Sequence, residues 1–273
     1  MTTSRQYSLP NGPVGKSRRL RRIFSGKLER TLIVPVDDSL IFGPFNGLQD
    51  MQRLSSEIGR SPANAILSFP GNLRANANEL HRLSWIVNLT ASTEGSSHTK
   101  KIIVGSVEQA VSSSADAVAV HVNCTDDNER EMLSFLGLVV RESERFQIPV
   151  MAIMYPRRCS NGQTDDYIQL REEEPTKYAQ LVAHAVRIGA ELGADFIKTK
   201  YPGDTENFRT IIAAASKTPV VIAGGDLVSA ERALETAKDA ISAGAAGVCF
   251  GRNVHQRADV GAFLAELANI VNA

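Results

Sequence analysis

From Thr31 onward the chain alternates between short β-branched runs and longer stretches whose apolar residues recur at helical spacing. Eight runs have the length and composition of buried strands. They are Thr31–Val36 (TLIVPV), Ala65–Ser68 (AILS), Trp85–Leu89 (WIVNL), Ala117–Val122 (AVAVHV), Pro149–Met154 (PVMAIM), Asp195–Lys198 (DFIK), Pro219–Ala223 (PVVIA) and Gly247–Phe250 (GVCF). Helical spacing is clearest over Asp127–Phe146, Thr176–Leu192, Asp204–Ser216, Val228–Ala243 and Val260–Val271. Strands that alternate with helices imply a parallel sheet, because parallel neighbours need a crossover between them. Eight units between residues 31 and 271 fit a closed (β/α)8 TIM barrel better than an open doubly wound sheet. No GxGxxG opens the first helix, so a dinucleotide-binding fold has no support. The second unit, residues 60–82, has the poorest pattern.

The 273 residues suit one such barrel, which commonly takes about 250. The expectation is therefore an α/β fold with a single catalytic barrel over 29–273 and an N-terminal helical extension over 1–28. The extension reads as a polar tail, broken by Pro10, Gly12 and Pro13, then a short amphipathic helix carrying Leu20, Ile23, Phe24 and Leu28 at helical spacing. Its basic face reads as solvated arginine rather than as a nucleic-acid or membrane surface. Thirty Lys and Arg balance thirty Asp and Glu, which argues against a general polyanion binder. A hydrophobic fraction of 43% can fill a core and argues against disorder. No run approaches the ~18 apolar residues of a membrane span. The first residues hold no apolar run, so no secretory signal is read there. Cys124, Cys159 and Cys249 are odd in number and lack metal-ligand spacing, which fits a reduced, cytoplasmic protein without disulfides. His81, His98, His121, His184 and His255 form no pair at metal-ligand spacing, so no metal is expected. Trp85 and the methionines read as core, and Arg171–Glu174 as a solvated helix start.

Barrel active sites lie at the C-terminal ends of the strands. Those ends carry Asp37-Asp38-Ser39, His121-Val122-Asn123, Tyr155-Pro156-Arg157, Lys198-Thr199-Lys200, Gly224-Gly225-Asp226 and Gly251-Arg252-Asn253. A lysine within an apolar strand must lose its charge, find a partner or react. Alternation places Phe196, Lys198 and Lys200 on one face. Desolvation and a second ammonium would lower the pKa of one lysine and make it a nucleophile for Schiff-base chemistry. A phosphate-binding or salt-bridged lysine is the alternative, and periodicity does not choose between Lys198 and Lys200. Tyr155 could shuttle protons or merely cap the core. Asp37 could orient or protonate substrate, or pair with either lysine. Gly224, Gly225 and Gly251 either leave bare N–H groups at the two strands where barrels usually bind phosphate, with Arg252 adding charge, or simply form two tight turns that need Gly. His121 and Asn123 either line the pocket or lie satisfied in the core.

Five segments together resemble the DhnA-type class I aldolase family: VPVDDSLIFGPFNGL (34–48), AIMYPRR (152–158), ADFIKTKYPGD (194–204), VVIAGG (220–225) and GAAGVCFGRNVHQR (244–257). GKSRRLRRIF (15–24), NLTAST (88–93) and SSADAVAVHVN (113–123) are most similar to the branch of 2-amino-3,7-dideoxyheptulosonate synthases and related makers of aminohydroxybenzoate precursors. The resemblance spans about residues 15–270. It implies that Lys198 is the Schiff-base lysine, Tyr155 the proton-transfer tyrosine and Asp37 the strand-one aspartate. It implies a phosphate site at Gly224, Gly225, Gly251 and Arg252. Asp38, Ser92, His121, Asn123 and Lys200 are the further candidates for the pocket lining. The resemblance further implies a phosphorylated ketone donor, such as dihydroxyacetone phosphate or a deoxyketohexose phosphate, and L-aspartate semialdehyde as acceptor. No cofactor beyond the lysine is implied, and a homo-oligomer, often a decamer, is. A fructose-bisphosphate aldolase and a non-catalytic sugar-phosphate-binding barrel are the alternative readings. The chain departs from the family at Asp38-Ser39 (usually His-Gly), Asn88 (usually His), Ser68–Gly71 (usually with a basic residue) and Asp226-Leu227 (usually with a Lys). These changes spare the lysine, tyrosine and glycines and alter the pocket wall.

Overall fold

In a computed structural model, which describes residues 7–9, 12–95, 99–160 and 163–273, all eight runs become parallel strands. They are β1 (Thr31–Pro35), β2 (Ala65–Ser68), β3 (Ser84–Asn88), β4 (Ala117–Cys124), β5 (Val150–Pro156), β6 (Phe196–Lys200), β7 (Val220–Ala223) and β8 (Gly247–Cys249). Each pairs in parallel with its sequence neighbours, and β1 pairs with β8, so the sheet closes into a barrel without edges.

Period-two alternation sorts the side chains into two shells. Ile33, Leu67, Ile86, Met151, Ile153 and Phe196 point inward and fill the barrel. Leu32, Val34, Val120, Ile197, Ile222 and Val248 point outward against the helices. Each fully buried aliphatic side chain contributes about 1.5–3 kcal/mol. Both faces are thus covered, and the strands read as continuous apolar runs.

The helix α1 (Val14–Ile23) closes the N-terminal end of the barrel. Leu20, Ile23 and Phe24 are buried with the barrel interior, and the Phe24 ring meets Phe196 edge-on at 5.3 Å. Lys16 is buried between Asp195, at 3.1 Å, and Glu144. Arg18, Arg21 and Arg22 are exposed, and Arg22 pairs with Asp116. Leu28 is exposed and outside α1, against the spacing, because the chain turns extended at Phe24. Tyr7 is not tail-like: it is buried, and its hydroxyl donates to the carbonyls of Leu28 (3.1 Å) and Glu29 (3.0 Å). Residues 1–6, 10 and 11 of the expected tail, Pro10 among them, lie outside the described residues.

The poor pattern of the second unit has a structural cause. Its helix is two short pieces, Pro70–Ala75 and Ala77–Leu80, interrupted at Asn76. The predicted helices beginning at Asp204 and Val228 start one or two residues early, because Asp204 and Ser229 are caps that accept backbone N–H groups of Asn207 and Arg232. Arg171–Glu174 is a helix end rather than a start, since the helix runs Ile168–Glu173. Two small hairpins, Thr90–Ala91 with Ile102–Ile103 and Arg158–Ser160 with Gln163–Asp165, follow β3 and β5. Cys124 and Cys249 are free thiols. Among the described residues, no helix is long and apolar enough to cross a membrane.

Candidate active site

The C-terminal ends of the strands bring Lys198, Tyr155, Asp37 and His121 into one mouth, as their mutual charge effects require. Lys198 follows Phe196 on the inward face of β6 and is only 7% exposed. Burial alone would push its ammonium down. The acidic groups around it, Cys249, Tyr155, Asp37 and Asp38, outweigh burial and hold it above the ordinary lysine value. This corrects the expected lowering by a second ammonium. The lowered lysine is Lys200, brought to about 8, mainly by burial. Lys200 sits apart, 3.9 Å from Asp166 and over the Tyr155 ring at 5.7 Å.

Tyr155 continues the inward face of β5 after Met151 and Ile153. Burial raises its phenol above the ordinary value, so it is a neutral proton donor at neutral pH. Its ring meets His121 edge-on at 5.0 Å. Burial, then the Lys101, Arg157 and Lys198 cations, keep His121 well below the ordinary imidazole value and therefore neutral. Among the described residues His121 Nε2 has no hydrogen-bond partner, and Asn123 lies in side-chain hydrogen-bonding contact with the ring.

Asp37 follows β1 and is 8% exposed. Asn88 Nδ2 donates to its Oδ2 at 2.8 Å, and Asn88 Oδ1 accepts from Thr90 N (3.0 Å) and Oγ1 (3.1 Å). The Asn that departs from the family pattern thus orients the strand-one carboxylate. Burial raises Asp37 above the ordinary carboxylate value, against the opposing effects of Lys198 and the Asn88 hydrogen bond. Asp37 therefore faces Lys198, while Lys200 has Asp166.

The two glycine turns lie side by side after β7 and β8. Gly225 has φ +69, in the left-handed region where a side chain is strained. A Cβ on Gly224 would meet the Phe250 ring at 3.0 Å, and one on Gly251 would meet Pro35 at 3.1 Å. Arg252 pairs with Asp226 and lies 3.8 Å from Asp38. Asn253, fully buried, pins both turns: its Nδ2 donates to the carbonyls of Gly224 (2.9 Å) and Asp226 (2.8 Å), and its Oδ1 accepts from Val228 N at 3.1 Å. The turns are the expected phosphate site, although Asp226 already pairs the Arg252 guanidinium.

Other expected pocket residues take mixed positions. Ser92 is at the mouth, where its Oγ accepts from Lys101 Nζ at 2.6 Å. Asn123 is fully buried and its Nδ2 donates to the Thr99 carbonyl, so it braces the loop after β3. Asp38 is half-buried beside Arg252. Sequence reasoning assigned no role to Cys249, Asn253, Lys101 or Arg157. Cys249 lies in hydrogen-bonding contact with Lys198, its thiol pushed up to about 11 by burial. Alternation on β8 points at Cys249. Lys101 is outside the barrel strands and gives no such signal. Among the described residues no group of three or more His, Cys, Asp or Glu could hold a metal, and His98 lies outside them.

A buried lysine ringed by a phenol, a carboxylate and a thiol can form and resolve an imine. Comparison with known proteins bears on that chemistry. A family model described as DeoC/LacD family aldolase matches residues 31–257. The 2-amino-3,7-dideoxy-D-threo-hept-6-ulosonate synthase of Halobacterium salinarum is 37% identical over 260 residues, 94% of this chain and 92% of that protein. The 2-amino-4,5-dihydroxy-6-oxo-7-(phosphonooxy)heptanoate synthase of Streptomyces griseus is 37% identical over 266 residues, 96% of this chain and 92% of that protein. An archaeal fructose-1,6-bisphosphate aldolase, solved with its catalytic Lys covalently bound to the carbinolamine intermediate, superposes with a TM-score of 0.81 at 26% identity, over 94% of this chain and 100% of that one.

Proposed function

The chain belongs to the DeoC/LacD aldolase family, and from that premise we propose that it joins dihydroxyacetone phosphate to L-aspartate semialdehyde through an imine on Lys198. The carrying observation is the buried Lys198 among Tyr155, Asp37 and Cys249. The substrates follow from the bond an aldol reaction makes. In the product named for the Streptomyces griseus relative, the ketone is at carbon 6 and a hydroxyl stands two carbons away at carbon 4. The new bond is then between carbons 4 and 5. Breaking it leaves a four-carbon amino acid aldehyde and a three-carbon ketone phosphate. The product named for the Halobacterium salinarum relative divides at the same bond but has no oxygen on carbon 7. A phosphate cradle at Gly224, Gly225, Gly251 and Arg252 favours the phosphorylated donor, with a deoxyketohexose phosphate as the exchange alternative.

The donor's phosphate sits on those N–H groups, which places its carbonyl at Lys198. Lys198 must first give up a proton, and Asp37, whose charge acts on it directly, is the acceptor in this scheme. The free amine attacks the carbonyl, and a proton passes from its nitrogen to the new alkoxide to give a carbinolamine. Tyr155 protonates the departing hydroxyl, water leaves, and an iminium remains. The iminium accepts the electron pair of an adjacent C–H bond as the proton passes to Tyr155, giving an enamine. The enamine carbon attacks the aldehyde, whose oxygen takes the proton back. Water then hydrolyses the new iminium and frees Lys198 as its ammonium, and the proton that Asp37 took passes to Tyr155, which restores the starting state. No metal or organic cofactor enters the scheme. The enzyme would work as a cytoplasmic homo-oligomer.

Mass spectrometry of a reaction with both substrates tests the reading. The expected product has the summed mass of donor and acceptor. Cleavage of fructose bisphosphate without coupling to aspartate semialdehyde would instead support a catabolic aldolase. Binding of sugar phosphate without turnover would support a non-catalytic barrel.

A further inference from the structure

We propose that the mouth holds a second anion subsite, built on Lys101 beside Arg157, which takes the carboxylate of the acceptor aldehyde. This rests on the aldolase reading above. The glycine turns follow β7 and β8; Lys101 and Arg157 follow β3 and β5, across the barrel order from them. A donor held at one side by its phosphate and in the middle by Lys198 presents its reacting carbon toward the other side. The acceptor must lie there, and its charged end must meet whatever lines that wall.

Lys101 is 2% exposed. Its ammonium has a single hydrogen-bond acceptor among the described residues, the neutral Ser92 Oγ at 2.6 Å. No carboxylate pairs with it. Asp37 and Asp38 reach it only through longer-range attraction, while Arg157 repels it. A buried cation without a paired acid is costly in any protein unless something supplies the anion. Burial and Arg157 accordingly bring its pKa down to about 8. Arg157 already holds Asp166, which also faces Lys200, so these three groups retain one net positive charge. His121 feels the charges of Lys101, Arg157 and Lys198 alike, so these groups border one region. One ammonium and a spare positive charge fit a monoanionic carboxylate. A phosphate's needs are met by the N–H groups of the other wall.

The test compares kcat/KM for a carboxylate-bearing aldehyde, succinic semialdehyde, with that for uncharged butyraldehyde, using dihydroxyacetone phosphate as donor. In Lys101→Met the preference for the carboxylated aldehyde should fall about tenfold to a hundredfold, the range of a lost hydrogen bond to a charged group. Lys101→Arg should restore most of it. A merely structural lysine would lower both values together and leave the preference unchanged, which would overturn the proposal. Wild-type preference for glyceraldehyde 3-phosphate over succinic semialdehyde would overturn the carboxylate assignment. If Lys101→Met does not fold, the Arg variant and a second binding measurement remain. Wild-type enzyme reduced with borohydride on its donor adduct should bind succinate, and Ser92→Ala should weaken that binding severalfold; no succinate binding contradicts the proposal. A wild-type enzyme that forms no adduct on Lys198 would place the failure in the aldolase reading instead.

Discussion

Replacing Asn253 with Ala separates the phosphate cradle from the rest of the mouth. Three backbone groups lose their partner: the carbonyls of Gly224 and Asp226 and the N–H of Val228. A buried polar group left unpaired costs about 1–3 kcal/mol. Asp226 is exposed, so water reaches this loop and the lower figure applies to each group. The sum is about 3 kcal/mol. At ~2–4 °C per kcal/mol for a chain near this size, Tm should fall by roughly 6–12 °C. The same loosening should raise KM for dihydroxyacetone phosphate about tenfold or more, because the N–H groups no longer converge. KM for dihydroxyacetone, which lacks the phosphate, should change less than about threefold. Thermal melting and steady-state kinetics with both ketones read the two effects. An unchanged Tm, or an equal rise in both KM values, would refute the idea that Asn253 holds the phosphate turns.

Tyr155→Phe keeps the ring and its contact with His121 but removes the phenol; kcat should fall about 10²–10⁴-fold, the usual worth of one proton-transfer group, while the Lys198 adduct still forms. A drop under threefold would remove Tyr155 from proton transfer. Asn88→Leu deletes the hydrogen bond that lowers the Asp37 pKa, so that pKa rises further. If Asp37 must be ionised, the acid limb of the kcat/KM profile moves to higher pH; a limb that stays or moves down contradicts its assignment. Lys16→Met leaves Asp195 buried with Val150 N as its remaining hydrogen-bond donor among the described residues, and stability by urea melting should drop by about 3 kcal/mol, the low end for a broken buried pair because Glu144 is half in solvent. Lys16 has a raised pKa in the fold, so its contribution persists through neutrality and is lost only as pH climbs through that value.

The strands were readable because each is wrapped on both faces, which forces continuous β-branched runs such as VVIA and AVAVHV. Closure brought the strand ends together, so the position of Lys198, Tyr155 and Asp37 in one mouth followed from alternation alone. What alternation could not supply was partnership. Lys198 and Lys200 share a face, yet a carboxylate on the loop after β5 takes Lys200 and leaves Lys198 to Asp37. Lys101 was missed because it stands beside a hairpin strand of two residues, too short to carry a period. Asn253 stands among the polar strand ends with no role assigned, although its side chain ties two turns together across 29 residues. Leu28 had helical spacing without a helix, because nothing in the spacing marks the exit at Phe24. Tyr7 sits in a segment whose composition is polar, and only the barrel floor gives that ring a place to bury.

Borohydride reduction in the presence of dihydroxyacetone phosphate tests the central claim most directly. Peptide mass spectrometry should place the adduct on Lys198, and the Lys198→Ala variant should give none. An adduct confined to Lys200 or Lys101, or no adduct with dihydroxyacetone phosphate, fructose bisphosphate and a deoxyketohexose phosphate on folded protein, would contradict the account.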